Sequence, residues 1–377
     1  MHVLRLLRRL LPAALAPLPL IAAAPATAPA AYAAGCGTWT QVPAHDPGGF
    51  SMLTGLAIES PTDIWTIGGG GFQHDTGGGF NLVAAPSLGT LRGGTQAISA
   101  DASNDVWAVG HSAPARSYPP TSTLVEHFDG SSWKVVPSPS PDAQQNTLVG
   151  VLALAPNDVW AVGQSARRAL IEHFDGSSWT VTAAPAPGTT SALSAIAGAG
   201  QSDVKAVGWF ADAAGSHPLV VSFHGAGWTA DPGLPAAPAT LNALAHVPGT
   251  NHYVAVGSST ADPLLAFDGA RWSSRPGAGA PFAQQPGSIG SVDAVSDTDV
   301  WLAGSYQGSA DALWATQPFA LQSSGTGWTS RFATFSVGQE GSLLATVGHA
   351  GGTMFVVGYD NPTTTSYGDV FAATMAC

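Results

Sequence analysis

A hexapeptide ending in glycine recurs seven times along this chain, and no other feature restricts the fold as strongly. The copies begin at Asp63, Asp105, Asp158, Asp203, His252, Asp299 and Thr353 and end at Gly68, Gly110, Gly163, Gly208, Gly257, Gly304 and Gly358. Its fullest form reads Asp158-Val159-Trp160-Ala161-Val162-Gly163. Successive glycines stand 42 to 54 residues apart. Segments this rich in Val, Thr, Trp, Gly and Pro do not form the amphipathic helices that a helical solenoid of similar period would need.

The period predicts an all-β fold, a seven-bladed β-propeller of four-stranded antiparallel blades. Each hexapeptide reads as the second strand of a blade. A β-like run ahead of it, such as Leu148 to Asn157, supplies the innermost strand, and Ala169 to Phe174 the third. Asp175-Gly176-Ser177-Ser178 is then a hairpin turn, because Asp-Gly between alternating residues supplies the positive φ that such turns require. A fourth strand opens at Trp179. The turn-and-Trp unit returns at Phe128 to Trp133, Phe223 to Trp228 and Phe267 to Trp272, and more weakly at Gly325 to Trp328. The first blade lacks it, so its outer strands are the least defined.

The last repeat reaches a third-strand-like segment, Val370 to Cys377, and stops without a fourth. The missing piece stands at the other end, where Cys36-Gly37-Thr38-Trp39-Thr40 matches Gly176-Ser177-Ser178-Trp179-Thr180. The N-terminal strand therefore completes the last blade and removes the unpaired edges at the seam. Cys36 and Cys377, the two cysteines of the chain, are then positioned for a disulfide across that seam.

The Asp-Val-Trp-Ala-Val-Gly repeat resembles the kelch and Asp-box classes of propellers, and most of all the repeat proteins of that motif exported by actinobacteria. The resemblance spans nearly the whole chain after the leader. The turn at Asp129-Gly130-Ser131-Ser132-Trp133 lacks the spacer of an Asp-box, so it implies a shared structural role without sialidase activity. Galactose oxidase has the same architecture, but its copper site needs a Cys beside a Tyr, and both cysteines here belong to the seam.

Residues 1–34 have the form of an export signal: Arg5, Arg8 and Arg9, an apolar run from Leu10 to Ala24, and the small-residue site Ala31-Tyr32-Ala33. Arg8-Arg9 admits twin-arginine export, but the residues after it match ordinary secretion better. The expectation is an extracellular protein, with residues 35–377 as a single propeller domain. No later stretch gives about 18 uninterrupted apolar residues, so no membrane span is expected. Beyond the leader, 9 basic residues face 24 acidic ones, a net charge of −15, which disfavours nucleic acid and anionic lipid as partners.

The repeated aspartates Asp63, Asp105, Asp158, Asp203 and Asp299 suit turn-capping through backbone amides better than a ring of metal ligands. Trp65, Trp107, Trp160 and Trp301 suit packing between blades. In Glu126-His127 and Glu172-His173, adjacent strand residues point to opposite faces, so neither couple forms an acid–base pair. The glycine-rich stretch from Gly68 to Gly79 lacks the helix and lysine of a phosphate loop. It reads as a flexible loop, with His74 and Asp75 offering at most a metal or sugar contact.

Function is expected where the repeat breaks, on the face carrying the second-to-third loops and blade connections. There stand Arg116, Tyr118, Arg167, Arg168, Trp209, Asp212, His217, Tyr306, Asp311, Trp314, Tyr359 and Asp360, with Phe210 and Tyr367 beside them. Aromatics mixed with Asp and Arg at a ring mouth stack on and hydrogen-bond sugars, or grip a partner's loop. The first reading is a non-catalytic, monomeric module binding an extracellular glycan or protein, with no cofactor or metal. The alternative is a glycoside hydrolase or polysaccharide lyase using two of Asp212, Asp311 and Asp360. A purely structural envelope protein is the third.

Overall fold

A short run rich in Val, Ala and aromatic residues, buried on both faces, makes the second strand of each blade, and the other three strands assemble on either side of it. The computed structural model describes residues 36–46, 51–68, 71–115, 120–185, 187–236, 238–258, 263–275, 287–307, 316–323, 327–331, 343–360 and 369–377. Within these, seven four-stranded antiparallel sheets form. Blade 3 is representative, with strands Asn146–Ala155, Asp158–Ser165, Arg168–Phe174 and Trp179–Thr182 hydrogen-bonded in that order. The hairpin glycines Gly130, Gly176 and Gly269 of the Asp-Gly turns, and Gly225 of the His224-Gly225 turn, have φ of 83° to 91°, the positive values that such turns require. In blade 3 the turn aspartate Asp175 accepts the amides of Ser177 and Ser178.

The closing glycine of the repeat has a steric cause. A bulge in the innermost strand, between Leu148 and Gly150 in blade 3, carries a carbonyl against the second strand. A Cβ at Gly163 would lie 2.1 Å from Thr147 O, and one at Gly110 1.9 Å from Gly94 O. Gly68, Gly208 and Gly257 meet the same obstruction, so any side chain at this position displaces the innermost strand.

Blade 7 closes as expected. Its strands Leu343–Ala350, Thr353–Asp360 and Asp369–Ala376 are completed by Thr40–Gln41, with Thr40 opposite Thr374 and Gln41 opposite Ala373. The amides of Gly37 and Val42 donate to Ala376 O and Ala372 O at 2.8 and 2.9 Å. Cys36 and Cys377 form a disulfide. Trp39 meets Trp301 edge-on at 6.4 Å, as Trp179 meets Trp107 at 5.6 Å in the regular part of the ring. The disulfide links positions 341 residues apart, so it removes substantial freedom from the unfolded chain. Replacing both cysteines by serine should cost about 2–4 kcal/mol in denaturant unfolding; a double variant as stable as the oxidised protein contradicts this.

The core lies in the wedges between blades. Trp107, Val109 and Val125 of blade 2 pack on Val159, Ala161 and Leu170 of blade 3, with Trp179 closing the outside. Every wedge that starts from a repeat tryptophan in blades 1 to 3 is built alike: Trp65 meets Phe128 and Trp133, Trp107 meets Phe174 and Trp179, and Trp160 meets Phe223 and Trp228.

Two sequence expectations need correction. Asp63, Asp105 and Asp158 do not cap turns through backbone amides. They bind the histidine on the neighbouring third strand: Nε2 of His74, His127 and His173 lies 2.7, 2.6 and 2.8 Å from Oδ1 of Asp63, Asp105 and Asp158. Those imidazoles stack on Trp65, Trp107 and Trp160 with centroids 4.0 Å apart. In blade 6, Gln322 takes the histidine's place and donates to Asp299 at 2.8 Å. The reason is register, because residues two apart on a strand share a face. The segment from Gly68 to Gly79 is likewise no loop where described. Gly71–Asp75 is the third strand of blade 1 and Phe80–Val83 the fourth. His74 supplies the stacked imidazole, and Asp75 Oδ1 accepts the amides of Gly77, Gly78 and Gly79 at 2.7 to 2.9 Å. The first blade thus builds its hairpin from a different turn, which a search for Asp-Gly-Ser-Ser-Trp passes over.

Blade 4 carries the sharpest departure. Lys205 replaces the tryptophan and Ser222 the histidine, with the lysine 2% exposed. Its ammonium donates to Ser222 Oγ at 2.6 Å, and that hydroxyl donates to Asp231 Oδ1 at 2.6 Å. It also lies 4.2 Å from the ring centre of Phe267, a cation–π contact in place of the ring packing used elsewhere.

Candidate functional site: the loop face

The residue that follows each repeat glycine lies toward the loop face, whether the second strand stops at the glycine, as in Asp63–Gly68, or runs past it, as in Asp158–Ser165. These residues are His111, Gln164, Trp209, Ser258, Ser305 and Tyr359 among those described, all intermediate or exposed. They mark one register position repeated around the ring. Between blades 2 and 3 this rim opens into a recess of about 310 Å³. Gln96, His111, Gln145, Asn146, Thr147 and Gln164 are among its lining.

The walls of the recess are fixed by hydrogen bonds that use up part of this lining. The Asn146 side chain donates to Thr121 O at 3.0 Å and accepts from Ser165 Oγ at 2.8 Å. Gln164 Nε2 donates to Ser191 O at 3.1 Å, tying the rim of blade 3 to blade 4. Gln96 and Gln145 are exposed and present amide groups, each both donor and acceptor, to the opening. The recess is thus polar without formal charge, apart from the titratable His111.

The sequence candidates fall in several places. Arg116, Tyr118, Asp311, Trp314 and Tyr367 lie outside the described residues, as do the side chains of Tyr306 and Asp360. Tyr306 and Asp360 are backbone members of the strands Val300–Gln307 and Thr353–Asp360. Arg167 occupies a two-residue turn with φ 65°, and Arg168 Nη1 donates to Gly188 O at 2.8 Å. Trp209 and Asp212 lie in the strand Asp203–Asp212, and His217 in Gly215–Phe223. His217 Nε2 lies 3.0 Å from Asp212 Oδ1, and its ring stacks on Phe210 at 4.9 Å. Here the expectation of long second-to-third loops fails. In blades 3 and 4 the two strands run past the glycine and close in tight turns, since their alternation continues. Asp212 and His217 are brought together, whereas none of the candidates whose side chains are described, Arg167, Arg168, Trp209, Asp212, His217 and Tyr359, is among the described residues lining the recess.

Glu126 and Glu172 point away from the histidines beside them, as expected. Glu172 is fully buried between blades 2 and 3 with both carboxyl oxygens lacking a hydrogen bond. Burial pushes its carboxyl up to about 8 from 4.5, and Glu126 up to about 7 by the same cause. At the opposite, turn face, a cavity of about 580 Å³ lies beside Lys205, Asp231 and Trp272. Among the described residues no cluster of three His, Cys, Asp or Glu side chains suits a metal ion, and no helix is long and apolar enough to cross a membrane.

Fold and rim together define a seven-bladed β-propeller with a polar recess on its loop face. No protein-family model and no curated protein sequence matches the chain. Among solved structures it is similar to YCF48 from Cyanidioschyzon merolae, with TM-score 0.58 and 14% identity over 89% of this chain and 98% of that one. A structure described as YCF48 bound to D1 peptide gives TM-score 0.56 and 12% identity, covering 90% of this chain and 95% of that one. The structure of U3-55K gives TM-score 0.56 and 10% identity, over 90% and 98%. At such identities the likeness concerns the fold alone.

Proposed function

We propose that this protein is a secreted binding module that takes an extended peptide segment of a protein partner across its loop face. The observation carrying the reading is the recess between blades 2 and 3, where Gln96 and Gln145 offer exposed amides beside the rigid wall of Asn146 and Gln164. Amides that both donate and accept match the alternating N–H and C=O of an extended chain. A propeller of the same fold is described as peptide-bound, which supports the choice of occupant. In this reading residues 1–34 are removed on export and residues 35–377 act as a monomer. The repeat then belongs with the kelch-like and Asp-box-like proteins exported by actinobacteria. The disulfide between Cys36 and Cys377 fits an oxidising compartment.

The test is a screen of the purified protein against peptide and glycan arrays, repeated with the double variant Gln96→Ala, Gln145→Ala. A peptide ligand whose affinity falls at least tenfold in the variant is the expected result. Peptide binding of equal strength in both proteins removes the recess from the account, and a glycan-only response replaces the peptide by a sugar.

A further inference from the structure

A second cavity on the same face, between blades 1 and 2, has a different chemistry. It measures about 430 Å³, and Glu126 is the sole titratable side chain among its described lining residues. Met52, Phe72, Leu88 and Leu124 supply apolar walls, and Thr54 and Thr95 add two hydroxyls. Glu126 sits on the strand Ser122–Phe128, paired with Ala108 on one side and Val135 on the other. It is 4% exposed.

Comparison with the next blade shows that open space in front of the acid is not repeated there. Glu172 holds the same register position, opposite Ala161, and is sealed. Gly94 of blade 2 stands opposite the residue after its repeat glycine, where blade 3 has Thr147. A Cβ added at Gly94 would meet nothing within 4 Å. The space in front of Glu126 is therefore left open by small residues on the innermost strand, and a buried carboxyl faces it.

We propose that this cavity receives a primary ammonium group on a short alkyl chain, with the Glu126 carboxylate as counter-ion and Met52, Phe72 and Leu88 around the alkyl part. A compact ammonium suits one carboxylate and two hydroxyls, whereas a guanidinium would bring five donors in a rigid fork. An ammonium ligand stabilises the ionised acid, which burial beside Phe72, Leu88 and Leu124 otherwise penalises. The acidic excess of the chain, 24 Asp and Glu against 12 Lys and Arg, favours the approach of a cation. Burial holds the Glu126 carboxyl near 7 with no charged neighbour contributing, so affinity rises from pH 5 to pH 8 as the proton is lost. This site is separate from the recess between blades 2 and 3, and neither proposal depends on the other.

The experiment titrates the intact protein with n-butylammonium, the neutral n-pentanol and blocked N-acetyl-lysine methylamide by calorimetry at pH 5.5 and 8. The ammonium probe is expected to bind at least tenfold more tightly than the alcohol at pH 8, and to lose most of that advantage at pH 5.5. Glu126→Gln is expected to abolish the difference; Gln73 occupies the corresponding position in blade 1, so the substitution has a precedent in the fold. Blocked lysine binding above butylammonium assigns the site to a lysine side chain, and the reverse order to a free amine. No saturable ammonium binding at pH 8, equal binding of alcohol and ammonium, or an unchanged Glu126→Gln variant overturns the proposal. Gln96→Ala with Gln145→Ala should leave this binding intact.

Discussion

Glu172→Gln is expected to stabilise the protein by roughly 3 to 5 kcal/mol above about pH 8, and to change it little near pH 4. Gln is nearly isosteric with the protonated acid, so the comparison isolates ionisation. Glu172 is fully buried, and neither oxygen has a partner. Its carboxyl is raised to about 8, against 4.5 for the unperturbed group. The folded state therefore keeps a proton that the unfolded chain gives up, and the sign follows from linkage. Below about pH 4.5 both states are protonated and the group carries no ionisation penalty. Between pH 4.5 and 8 wild-type stability falls as pH rises, and above 8 the full penalty stands. Glu126, raised to about 7, adds a smaller penalty of the same sign, complete by about pH 7. Chemical denaturation of wild type and variant at pH 4.5 and pH 9 measures the effect. A difference between the two proteins that is the same at both pH values would contradict it.

Trp107→Ala is the second large expected effect, a loss of about 3–5 kcal/mol. The indole is 2% exposed and fills the wedge between blades 2 and 3. Alanine would remove its contacts with His127, Phe174 and Trp179 together, and the bond from its Nε1 to Asp105 at 2.9 Å. His127 would then lose the surface it stacks on, and Asp105 one of its two donors. Solvent cannot refill such a site without meeting Val109, Val125 and Leu170, so most of the cavity cost remains. A measured loss below about 1 kcal/mol would show that the wedge collapses around the gap.

The architecture was readable because a propeller repeats its constraints. The repeat glycines from Gly68 to Gly257 avoid a carbonyl of the innermost strand, each Asp-Gly turn needs positive φ, and each repeat tryptophan fills one wedge. The same signals located the seam, since Cys36 to Thr40 follows a template visible at Gly176 to Thr180. What failed was local. The role of Asp105 depends on His127, 22 residues away, a pairing set by strand register and invisible to a reading of turns. Blade 1 hid its hairpin because Asp75 and three glycines replace the common turn. The recess was missed for a related reason: attention to aromatic and charged residues passed over Gln96, Gln145 and Gln164. The position after each repeat glycine was the available signal, and it contains His111 and Gln164 together with the candidates Trp209 and Tyr359. The cavity at Glu126 needed coordinates, since Glu172 has the same sequence context and none of the open space.

The ring closes only if the start of the chain pairs with its end, and amide hydrogen exchange of the segment 37–42 reports this most directly. Gly37 and Val42 donate to Ala376 O and Ala372 O, so their amides should exchange far more slowly than in a free peptide under native conditions. Exchange of that segment at free-peptide rates, while the strands of blade 3 remain protected, would show an open seam and contradict the sealed seven-bladed ring.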